Sequence, residues 1–141
     1  MTFSGIAADS QILLHDSSLV NASECTDQLV HVPYSNVDGL AESVYEKKIA
    51  QLREVKTKNL YKLELTNDFE IEAMSSCKFL CEYNGELKWF ELFDIPSEAL
   101  IVTIDGNHQG RILLRREGPA ASIEVKDYNA FVANGFVVST C

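Results

Sequence analysis

The chain has 141 residues, a formal net charge of −9 and 46% hydrophobic residues. That is one globular domain with enough apolar content for a real core, and it excludes collagen-like and disordered classes. The acidic balance of 12 Lys+Arg against 21 Asp+Glu disfavours binding to nucleic acid or to an anionic membrane, since both depend on cationic residues.

The N-terminal stretch Met1 to Leu14 carries Asp9 and no basic leading region, so it makes a poor signal peptide. No apolar run approaches the roughly 20 residues of a spanning helix. A cytoplasmic location is expected, with Cys25, Cys77, Cys81 and Cys141 as thiols and not a disulfide framework. No CxxC pair and no Cys/His cluster occurs, so neither a metal nor a cofactor is expected. His15, His31 and His108 are the 3 histidines, a scarcity that limits acid–base chemistry near neutral pH.

Taken in chain order, most segments alternate apolar and polar residues with the period of a strand. Gln11–Leu14 runs into the turn cluster His15–Ser18, and Leu19–Val20 resumes it. Leu29–Val32 stops at Pro33, with His31 expected as a solvent-facing or satisfied edge residue. Asp38 to Lys48 differs, placing Leu40, Ala41, Val44 and Tyr45 at helical spacing after an Asn36/Asp38 cap. The spacing predicts a short helix near 38–47 that slides into a strand near Ile49–Val55. Leu60–Leu65, the Asn67–Asp68 turn and Phe69–Ala73 predict a hairpin. So do Lys78–Tyr83 and Leu87–Phe90 around Asn84–Gly85, two residues that tolerate positive φ.

Leu100–Ile104 precedes the Asp105–Gly106 turn, where His108 is expected to be exposed. The glycines and proline of Gly106 to Ser122, with Arg111, Arg115 and Arg116, predict a loop or mobile hairpin with a solvated basic face. Ile123–Val125 and Phe136–Val138 close the strand pattern, with Asn134–Gly135 as a turn. The fold class is therefore all-β. Cys77, Cys81, Trp89, Phe90 and Phe93 read as core. A Cys/His hydrolase built on Cys77 or Cys25 has no supporting motif. A faint duplication relates Leu19–Glu24, leading to Leu29–Val32, to Trp89–Phe93, leading to Leu100–Thr103. It suggests a pseudo-two-fold arrangement.

Gly5-Ile6-Ala7-Ala8-Asp9-Ser10-Gln11-Ile12-Leu13-Leu14 resembles the opening block of the intein and hedgehog (Hint) family. Tyr61 to Ala73 resembles the strand pair before that family's TxxH motif, and Phe79–Leu80 and Trp89–Leu92 fall where the block continues. Ile123 to Val138 is similar to the last two blocks almost residue for residue, and Cys141 falls where the first downstream host residue would sit. The resemblance covers Gly5 to Cys141 and looks like a mini-intein without an endonuclease. It implies a horseshoe of curved strands with adjacent termini. It also implies residues 1–4 as leader or upstream host, 5–140 as the domain and 141 as the downstream position.

The family's activity is self-processing. A first-residue Cys or Ser attacks the preceding carbonyl, and a Thr and His of the TxxH motif polarise and protonate that amide. The acyl group passes to the downstream nucleophile, and a terminal Asn cyclises with help from a penultimate His. On this sequence the first position falls on Gly5, with Ser4 one residue early, and the TxxH motif falls on Met74-Ser75-Ser76-Cys77. The aspartate of the second-last block falls on Ser122 and its histidine on Asn129. The penultimate His falls on Ser139, the terminal Asn on Thr140, and the downstream nucleophile on Cys141, the one matching type. The expectation is an intein-like splicing domain, impaired or inactive in this form. The alternative is a non-catalytic relic kept in its host as a structural or interaction module. No turnover enzyme is expected. The partners implied are the flanking host segments of a monomer, with no nucleic acid and no membrane.

Overall fold

A computed structural model describes residues 4–32, 46–125 and 130–139. Among them lie thirteen strands and two single turns of 3-10 helix (Ala22–Glu24 and Leu92–Asp94). The strands are β1 (Ile6–Ala7), β2 (Gln11–Leu13), β3 (Leu19–Asn21), β4 (Thr26–Val32), β5 (Glu46–Leu65), β6 (Glu70–Ala73) and β7 (Lys78–Tyr83). They continue as β8 (Glu86–Glu91), β9 (Leu100–Thr103), β10 (Gly106–His108), β11 (Gly110–Val125), β12 (Ala130–Ala133) and β13 (Phe136–Ser139). The all-β expectation holds. Of the helix expected near 38–47, residues 38–45 lie outside the described residues, while Glu46 and Lys47 already belong to β5.

One sheet runs β11-β1-β6-β5-β4 and closes on itself through a β11–β5 pairing. The other runs β10-β9-β7-β13-β12-β2-β3, with β8 on the outer side of β7. Two tight hairpins follow the sequence signals. Asn84 and Gly85 take φ of 54° and 78°, and Asn134 and Gly135 take 51° and 85°, so each turn uses the left-handed region at both central residues. The segment expected as a loop from Gly106 to Ser122 is instead mostly strand. β11 pairs with β5 from Gly110↔Leu65 to Val125↔Ala50, with irregularities after Ile112 and after Ser122. The pairing partner overrides local Gly and Pro signals. Pro119 lies opposite Thr57, and its carbonyl accepts from Ala8 N at 2.9 Å. The arginines therefore stand on a strand, with Arg111 paired to Glu64 at 3.0 Å and Arg116 to Glu72.

The suspected duplication is real and extends to individual hydrogen bonds. Ser10 N donates to Ala7 O at 2.9 Å, and Cys77 N to Met74 O at 3.0 Å. Ala22 N donates to Ser10 O at 2.8 Å, and Leu92 N to Cys77 O at 3.0 Å. The hairpin β2–β3 begins with Gln11↔Asn21 and the hairpin β7–β8 with Lys78↔Glu91, each leading into its 3-10 turn. These relations make Ile6 equivalent to Ala73 and Ile12 to Phe79. Ile6 and Ala73 face each other across the β1–β6 pair, as two equivalent residues must at a two-fold crossing. The hairpin β12–β13 sits between the halves, with Ala133 opposite Ile12 and Val138 opposite Phe79.

The core lies at that junction. Phe79 and Phe136 are fully buried with their rings edge-to-face, centroids 5.9 Å apart. Leu92 and Ala22, the first residues of the two 3-10 turns, are also buried. Trp89 and Phe90 pack against the core, but Phe93 is 55% exposed and touches Tyr61 edge-on, so its core reading is corrected. A one-residue step beyond Leu92 in so short a turn rotates the next side chain outward. Phe79→Ala should destabilise the fold by about 3–5 kcal/mol, read as a shifted urea midpoint. A loss under about 1 kcal/mol would contradict a packed junction there.

Candidate functional site

Both described ends of the chain converge on the segment from Met74 to Phe79. Met74 N donates to Gly5 O at 3.0 Å, and Ser76 Oγ donates to Ser4 Oγ at 3.1 Å. Three residues on, Phe79 is the partner of Val138, one residue before Ser139. The reason is the strand order. β1 lies between β11 and β6, β13 lies against β7, and β6 runs directly into β7. Adjacent strands are about 4.8 Å apart, so pairing sets β1 beside the end of β6 and β13 beside the start of β7, on the two sides of the Met74–Cys77 turn.

The residues expected to form the site divide by place. Gly5 leads β1, and Cys77 closes the Met74–Cys77 turn. Ser122 is buried on β11 next to Ala121, the partner of Ile6. Ser139 ends β13. Gly5 and Ser122 therefore flank the β1–β11 pair, Cys77 follows β6, and Ser139 ends the strand that pairs with β7. Asn129, Thr140 and Cys141 lie outside the described residues.

Chemically the assembled groups are poor in acids, bases and nucleophiles. Gly5 has no side chain. Cys77 is 3% exposed and belongs to the core cluster. Cys25 and Cys81 are buried as well, and desolvation pushes their thiols up to about 11 and about 12. A thiol held so high presents almost no thiolate near neutrality. Cys81 Sγ lies 3.6 Å from Phe79 O, a weak contact inside its own strand. His15 Nδ1 lies 3.3 Å from Leu29 O and His108 Nε2 lies 2.7 Å from Asp105 O, so each ring is tied to a local carbonyl. His108 sits on β10, not in a turn, while the side chain of His31 is outside the description. No group of three or more His, Cys, Asp or Glu could hold a metal among the described residues.

Asn134 was read from sequence only as a turn residue, yet it ties three segments. Its Oδ1 accepts from Gln11 N at 2.7 Å, its Nδ2 donates to Glu70 O at 3.0 Å, and its N donates to Gln11 O at 2.9 Å. The Asn-Gly pair signals the turn, and nothing local signals these distant partners. The hydroxyl pair Ser4–Ser76 was likewise missed, because only the turn of Met74–Cys77 against β1 brings the two residues together. Ser10, the positional equivalent of Cys77, is also buried, and its Oγ has no hydrogen-bond partner among the described residues.

The fold is that of an intein. Over 99% of this chain and 99% of the other, it matches a DnaB intein from Synechocystis sp. PCC 6803 with a TM-score of 0.71 at 18% identity. The PabCDC21-1 intein matches with a TM-score of 0.72 at 14% identity, over 99% of this chain and 100% of the other. A bacterial intein-like domain from Clostridium thermocellum matches with a TM-score of 0.70 at 13% identity, over 100% of both chains. At these identities the likeness is one of fold. No protein-family model matches the sequence, and no curated protein matches it.

The buried thiols give a pH prediction. In the unfolded chain a thiol ionises near 9.0, whereas folding holds Cys25 and Cys81 protonated to about 11 and about 12. Above pH 9 the unfolded state has therefore lost protons that the folded state keeps, so stability falls as pH rises from 9 towards 11–12. Urea midpoints measured across that window should decline in the parent and decline less in a Cys25→Ala/Cys81→Ala variant. Equal slopes would contradict the assignment.

Proposed function

We propose that this chain is an intein-type domain in which protein splicing is impaired or absent, and which stays within its host polypeptide. The supporting observation is a pairing of intact scaffold with missing reagents. The fold is that of an intein, while the positions that the family resemblance assigns to the chemistry hold Gly5, Cys77, Ser122 and Ser139. Splicing needs a nucleophile at the first position and an acid to protonate the departing amide nitrogen. Gly5 supplies no nucleophile, and a core thiol at Cys77 replaces the imidazole. Proximity alone lowers a barrier only when a reactive group occupies the near position.

Thr140, where the family carries Asn, has no side-chain amide to cyclise, so release at the downstream junction lacks its usual leaving mechanism. Cys141 remains as an acyl acceptor with no acyl donor upstream. The partners of such a domain are the host segments on either side of it, and its location is that of the host, for which the cytoplasm is the reading from the thiol-bearing sequence. Among the described residues no helix is long and apolar enough to cross a membrane. Retained in this way, the domain serves as a structural or interaction module.

The test is the chain fused between two reporter proteins, incubated with and without a small thiol and followed by intact mass. The expected result is the full-length fusion alone under both conditions. Thiol-dependent release of the upstream reporter, or a ligated pair of reporters, would overturn the proposal.

A further inference from the structure

The side chains missing from the site are one form of loss, and the backbone around Gly5 points to a second. A Cβ placed on Gly5 would meet the carbonyl of Ala121, with the oxygen nearest and the carbon 2.9 Å away. Both atoms belong to the main chain of β11, and that chain is fixed from both sides. On one side β11 pairs with β1 through Ile6↔Ala121 and Ala7↔Ala120. On the other it pairs with β5 through Ala120↔Lys56 and Ala121↔Val55. β1 is equally constrained, since Ile6 also pairs with Ala73, Met74 N bonds Gly5 O, and Ala8 N bonds Pro119 O. Neither strand can retreat without breaking ladder hydrogen bonds.

We propose that Gly5 is a backbone lock: β1 closes on the Ala121 carbonyl so tightly that the position the family uses for its nucleophile has no room for any side chain. This rests on the reading of the chain as an intein-type domain without its chemistry, and it adds that the chemistry is not recoverable by restoring the residue type. A side chain at position 5 forces β1 away from β11, which costs ladder bonds and disturbs Ser122 and Ala120, both buried beside the contact. Glycine here serves close approach of two backbones, not a left-handed turn.

Gly118 provides the internal comparison. A Cβ there would meet the guanidinium end of Arg116, with Cζ at 3.2 Å; that group is part of a side chain, and shifting it costs at most its partly exposed ion pair with Glu72, not backbone ladder bonds. The experiment compares Gly5→Ala with Gly118→Ala in the full chain, by thermal melting and by amide exchange at Ala8 and Met74. The expected result is a Tm lower by about 5 °C or more for Gly5→Ala, with exchange at both amides at least about tenfold faster, and a Gly118→Ala protein close to the parent. Failure of Gly5→Ala alone to fold supports the lock in the same sense. A Gly5→Ala protein that melts with the parent and keeps both amides protected would overturn it. So would thiol-dependent release of the upstream reporter from a Gly5→Cys fusion whose parent stays intact. The two proposals fail separately, because the melting comparison involves no cleavage and the parent fusion involves no change at Gly5.

Discussion

Ile6 facing Ala73 is the contact on which the architecture turns. The two residues occupy equivalent places in the two halves, so their pairing marks the pseudo-two-fold axis. Everything near the axis follows from it. Each half sends its long strand, β5 or β11, past the other, and the closed ring β11-β1-β6-β5 results. The hairpin β12–β13 then fills the gap between β2 and β7, where its inward residues meet Ile12 and Phe79. The closed ring of one sheet and the hairpin that joins the two halves in the other are mutually dependent. Backbone pairing gives register, and burial of Phe79, Phe136, Ile12 and their neighbours supplies the driving force.

That same geometry is what the chain shares with inteins, and it does not depend on which side chains stand near the ends of β1 and β13. Placing β1 and β13 at the two ends of the β6–β7 connection is a property of strand order and needs no particular side chain there. Chemistry is a property of a few side chains that the ladder does not require. A Gly at position 5, a core thiol at 77 and a buried serine at 122 are each compatible with the strands they adjoin or belong to. Function and form are thus physically separable, and here β1 and β11 approach closely at Gly5 and Ala121.

Much of the fold was legible because its signals are local. Asn84-Gly85 and Asn134-Gly135 announce turns of positive φ, and both form them. The likeness between Leu19–Glu24 and Trp89–Phe93 announces the repeated strand and 3-10 turn. What could not be read is what depends on a distant partner. Gly110, Gly118, Pro119 and three arginines look like a loop, yet the facing strand β5 fixes them as β11. Two stretches that read as separate strands, Ile49–Val55 and Leu60–Leu65, are one continuous β5 for the same reason. At the candidate site the residue types were visible from the start. The carbonyl of Ala121 over Gly5 was not, because a lone glycine does not say which distant backbone approaches it.

The account stands on the two halves crossing at β1–β6 with the C-terminal hairpin between them. An isotope-edited nuclear Overhauser experiment on the labelled chain tests this most directly. It should show Ile6 close to both Ala73 and Ala121, and Val138 close to Phe79, in a single set of resonances. Ile6 contacts confined to Ala121 with none to Ala73, or Val138 without Phe79, would contradict the crossing and with it the convergence of the ends.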